Sequence, residues 1–98
     1  MKVQFKKPIL AHGEEVSEIE LREPTGKDVM ELGFPYLVII SDGDDQAIEV
    51  RAKVVGKYVS RLAGIPPSSL EKVSPEDFSM LMGVVLGFFG KEVEAPKG

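Results

Sequence analysis

Apolar and polar positions alternate along the first quarter of the chain. Val3 and Phe5 are interleaved with Lys2, Gln4 and Lys6, and Ile19 and Leu21 with Glu18, Glu20 and Arg22. A period of two sends successive side chains to opposite faces, so both stretches are predicted as half-buried strands. Pro8 predicts an irregularity in the first strand, with "PIL" continuing beyond it, and His12-Gly13 in "AHGEE" supplies a turn. The result is a β-hairpin over residues 1–23. Alone it is marginal in water and must pack on something.

Residues 24–90 read as a small helical bundle of three to four helices, giving an α+β fold in one domain spanning 1–98. Thr25 caps a short first helix, Asp28 completes a capping box, and Gly33 and Pro35 stop it. "YLVII", residues 36–40, has five apolar residues in a row, and its periodicity leaves strand and extended connection equally open. After the loop "SDGDD", Asp44 or Asp45 is expected to cap a helix running to about Ala63. Ile48, Ala52, Val55, Val59 and Leu62 fall on one stripe of that helix. Gly64 and the "IPP" that follows end it. "PSSLEKV" predicts one or two helical turns. Ser74 then caps the last helix, with Pro75 in its first position and Glu76 and Asp77 at the positive end of its dipole. It runs to about Phe89, and residues 91–98 form a polar, fraying tail.

That last helix is apolar on two sides. Phe78, Met82, Val85, Leu86 and Phe89 form one face, with Leu81 on its flank. Met80, Val84 and Phe88 form a second line at i, i+4 and i+8, bordered by Gly83 and Gly87. A helix apolar all round is either enclosed by its own domain or covered by a partner. Fully covering Met80, Val84 and Phe88 would release on the order of 5 kcal/mol before the entropy of association is deducted. Gly83 and Gly87 would let a partner come close, although each costs about 1 kcal/mol relative to alanine in a helix.

Composition narrows the function. The 98 residues are 43% hydrophobic, which argues against global disorder, and 29% charged, with a net charge of −4 that disfavours nonspecific nucleic-acid binding. Cysteine is absent, which removes disulfides and thiolate metal ligands. Lys6 and Lys7 interrupt the apolar run that a secretory signal needs, and no stretch reaches the ~18 apolar residues of a membrane span. A cytoplasmic protein without membrane or nucleic-acid partners is therefore expected.

"LREPT" at 21–25, "RLAGIPP" at 61–67 and "VSPEDF" at 73–78, together with the opening "KPIL…G" at 7–13 and the apolar last helix, carry a family resemblance. In this order and spacing the chain resembles the small tail assembly chaperones of contractile-tailed, Mu-like bacteriophages and prophages. The resemblance implies a protein encoded beside the tape-measure gene. It would keep the long helical tape-measure protein soluble until tail-tube subunits assemble, and would be absent from the finished particle. In several such phages a ribosomal frameshift adds an extended form. The family supplies no catalytic residues to carry over. The partner-binding set expected from the helix pattern is Met80, Gly83, Val84, Gly87 and Phe88.

Other constellations carry less. Lys53, Lys57 and Arg61 make a basic stripe: a solvated face in the plain reading, an electrostatic contact to an acidic client segment or to nucleic acid in the sharper one. "SDGDD" lacks the spacing and the twelfth-position glutamate of a calcium loop. His12 is a lone turn residue, and "PTGKD" lacks the glycines and Ser/Thr of a phosphate loop. Neither a cofactor, a metal nor catalysis is expected. Two other functions compete: a helix-turn-helix-like DNA-binding regulator built on "AGIPPSSLEKVSPEDF", opposed by the acidic net charge and Pro66-Pro67, and a structural homo-oligomer formed through the spare helix face.

Overall fold

A computed structural model describes residues 1–40 and 46–90. The expected cap at Asp44 or Asp45 and the tail at 91–98 lie outside the described residues. Strands β1 (Lys2–Ala11) and β2 (Glu14–Glu20) form an antiparallel hairpin. Its two-residue turn places His12 at φ 55° and Gly13 at φ 77°. Positive φ at both positions matches the right-handed twist of the strands, which is why a glycine is useful there. The alternation works as expected: Val3, Phe5, Ile9, Ala11 and Ile19 are buried, and Leu21 just beyond β2 is fully so. The register shifts between Gln4 and Ile9, so the segment Phe5 to Pro8 bulges opposite Ser17.

Helices α2 (Ala52–Ala63), α3 (Pro67–Leu70) and α4 (Pro75–Phe88) pack on this hairpin, and the short α1 (Gly26–Leu32) packs on α2. Val54, Val55, Tyr58, Val59 and Leu62 of α2 meet Leu81 and Val85 of α4 in one core with the hairpin side chains. Gly64 ends α2 in the left-handed region, at φ 69°, with its N–H on the carbonyl of Ser60. Ser74 caps α4 by accepting from the Asp77 N–H, and Pro75 takes the first helical position.

The helical part is interrupted where a longer helix was expected. Residues 46–50 are a strand, β4 (Gln46–Val50), paired antiparallel with β3 (Tyr36–Ile40), and α2 begins only at Ala52. "YLVII" is thus a strand, and Ile48 belongs to its partner, not to the apolar stripe of α2. Ala52 is also exposed. The spacing of four from Ile48 to Ala52 imitated a helical stripe. Backbone pairing with β3 decides the matter, because a five-residue apolar strand needs its hydrogen bonds satisfied.

Candidate interaction surface

Two buried carboxylates fix the elements that carry the surface. Asp28, 2% exposed, accepts two bonds from the Arg22 guanidinium at 2.8 and 3.1 Å and one from the Thr25 N–H at 2.8 Å. Arg61 reaches the same carboxylate at 3.4 Å and also pairs with Glu31. The Arg22 guanidinium, then the Thr25 amide, hold the Asp28 carboxyl well below the usual carboxylate range. "LREPT" is therefore a clasp that ties the exit of the hairpin to α1 and α2.

Asp77, also 2% exposed, does the equivalent at the other end. It accepts the Lys6 N–H at 3.0 Å and the Lys7 N–H at 3.1 Å. Both donors lie in the bulge, so the outer edge of β1 is closed by the first turn of α4. These two amides, the Lys6 one first, lower the Asp77 carboxyl from its ordinary value. Lys6 adds an ion pair to Glu76. The sequence assigned Glu76 and Asp77 to the helix dipole alone; nothing local marked a strand some seventy residues away as the partner.

Held this way, α4 buries Leu81, Val85 and Leu86 completely. On its outer side Met80 is 37% exposed, Val84 and Phe88 are half-buried against the rim of the core, and Gly83 and Gly87 are exposed. Met80 and Val84 line an open groove of about 670 Å³ with Val3, Gln4 and Glu18 of the hairpin. A Cβ added at Gly83 or Gly87 would meet no atom within 4 Å. Among the described residues, nothing in the packing requires a glycine at either position.

The basic stripe divides. Lys53 and Lys57 are exposed and border an apolar groove of about 440 Å³ with Gly56, Pro67, Leu70 and Phe78. Arg61 instead serves the Asp28 clasp. His12 is exposed, with Nε2 3.2 Å from the Gly64 carbonyl.

A further exposed apolar patch was not foreseen. Leu37, Val38, Ile39, Ile40 and Ile48 of the β3–β4 ribbon are each between 43% and 73% exposed. Among the described residues the ribbon is held at its base. There the Arg51 N–H donates to the Pro35 carbonyl at 2.9 Å, and the rings of Phe34, Tyr36 and Phe89 cluster with centroids 5.7 to 6.2 Å apart. The usable signal was "YLVII" itself, β-branched, uncharged and followed after a glycine-containing loop by a second strand-length segment.

Fold and surface together define a small α+β protein with three open apolar areas among the described residues, in which no described helix is long and apolar enough to cross a membrane. Residues 2–90 match the model of the phage tail assembly chaperone proteins described as E, or 41 or 14, and the chain belongs to that family. No curated protein and no solved structure matches it significantly.

Proposed function

We propose that this tail assembly chaperone binds the tape-measure protein and keeps it soluble in the host cytoplasm during tail morphogenesis. It acts without catalysis and is left out of the finished particle. The client is a long, partly hydrophobic helical chain, and the outer face of α4 receives it through Met80, Gly83, Val84, Gly87 and Phe88. A helix laid against an apolar face is a familiar recognition mode. The observation that carries this reading is the pair Gly83 and Gly87. Each weakens the helix by about 1 kcal/mol relative to alanine, and within the chain nothing crowds either position. Close approach of a second backbone explains them.

Val84 and Phe88 are already half covered, so this line gains less than the three fully exposed side chains would. Further surface must join, and the groove beside Lys53 and Lys57 offers both apolar area and positive charge for acidic client segments. The test is co-expression of the chaperone with the tape-measure protein. Met80→Ser combined with Gly87→Ala should leave the fold intact by circular dichroism and abolish co-solubilisation of the client. Undiminished capture by the folded double variant would remove α4 from the binding surface.

A further inference from the structure

Much of the positive charge on this chain is already engaged. Lys6, Arg22 and Arg61 each hold a carboxylate, and Lys2 lies 3.9 Å from Glu18. Lys53 and Lys57 differ: both are exposed, and neither forms an ion pair among the described residues. They are four positions apart on α2, so their side chains share one face of that helix. That face borders the apolar groove of about 440 Å³.

The groove has a different character on each side. α2 contributes the two lysines and, between them in the chain, Gly56; α3 and α4 contribute the apolar surface of Pro67, Leu70 and Phe78. Glu71, at the end of α3, also borders the groove and pairs with neither lysine. Gly56 lies in the interior of α2, where glycine is weaker than alanine. A Cβ there would meet no atom within 4 Å. Internal packing among the described residues therefore leaves this position open, and a side chain from outside has room over it.

We propose that this groove is a charge-selective docking site for a helical segment of the client, one whose apolar stripe is bordered on one side by acidic residues at a spacing of four. The proposal rests on the client-holding role argued above and adds which segments of the client are chosen. Each carboxylate faces one lysine, an apolar side chain rests over Gly56 against Leu70 and Phe78, and Glu71 repels the same helix when its acidic border is turned toward α3. Charge decides the occupant. The chain carries a net charge of −4 and repels acidic partners as a whole, so an acidic segment that binds is held by a local cationic site. A second copy of this chain is equally acidic and meets that repulsion over its entire surface.

The probe is a synthetic amphipathic helix with a leucine stripe bordered by glutamates at i and i+4; a twin peptide carries lysines in their place. Binding of each to the full chain is followed by fluorescence anisotropy at low salt and mapped by amide shifts in NMR. The glutamate peptide should bind about tenfold more tightly than its twin, weaken as salt rises, and shift the amides of Gly56, Lys57 and Leu70. Lys53→Glu combined with Lys57→Glu should reverse the preference and lower co-solubilisation of the tape-measure protein. Gly56→Leu fills the groove and should weaken both peptides while keeping the circular dichroism of the wild type. Absent binding, equal binding of the two peptides, or shifts confined to the outer face of α4 overturn the proposal. So does a dimeric wild type that Gly56→Leu turns into monomers, which assigns the groove to a second copy. Docking of the glutamate peptide as expected, with a tape-measure protein that stays insoluble beside the wild type, upholds the charge-selective site and overturns the client reading alone.

Discussion

Asp28 shows how much structure one side chain can organise. Its carboxylate gathers Arg22 and Thr25 from one segment and Arg61 from a distant helix, and Asp77 gathers two strand amides. Both carboxyls titrate below their ordinary values when folded. The sign follows from linkage: a lowered folded-state pKa contributes stability above the unfolded value of about 4. That contribution is lost as pH falls from there through the folded value. Urea midpoints should therefore be flat from neutrality down to about pH 5 and decline steeply below it. Asp28→Asn should lower the midpoint at pH 7 and flatten the acid decline, leaving Asp77 as the main remaining cause. Tyr58→Phe is the neutral counterpart. The Tyr58 hydroxyl donates to the Gly33 carbonyl at 2.5 Å, and its loss should cost about 1 kcal/mol by urea denaturation.

Among the elements, α4 divides core from surface within one helix. Leu81→Ala on the buried side should cost about 2–5 kcal/mol, seen as a lower denaturation midpoint at unchanged slope. Gly83→Ala on the open side should do the opposite. It should raise stability by up to about 1 kcal/mol while weakening client capture. Opposite signs for stability and binding would mark the glycines as interaction residues.

The same contrast explains what could be read from the sequence. The first hairpin, its turn and the ends of α4 follow from local rules, since Val3 and Phe5, His12-Gly13 and Ser74-Pro75 each act on near neighbours. The apolar stripe of α4 was visible too, but not how far Val84 and Phe88 would be sheltered, because that depends on residues distant in the chain. β4 was missed because Ile48 happened to fit the stripe of α2. "YLVII" is apolar on both faces, so no period could distinguish its states. The clasps at Asp28 and Asp77 were only half visible. Their local capping roles are written in the sequence, while their long-range donors are not.

As a whole the molecule is a packed body with a ribbon set to one side, its extents being 51 × 37 × 21 Å. Hydrogen exchange should resolve the two parts. In dilute solution the Leu37 and Ile39 amides, bonded across the ribbon in the phase set by the Arg51–Pro35 bond, should be slower than the outward amide of Val38. Asp77 has one more consequence, for the order of assembly on the ribosome. Its bonds to Lys6 and Lys7 join positions 71 and 70 residues apart. At about 5–20 residues per second, the first hairpin spends several seconds in the cell before that carboxylate is synthesised. The Lys6 and Lys7 amides of a nascent chain thus wait for their carboxylate until the final quarter is translated.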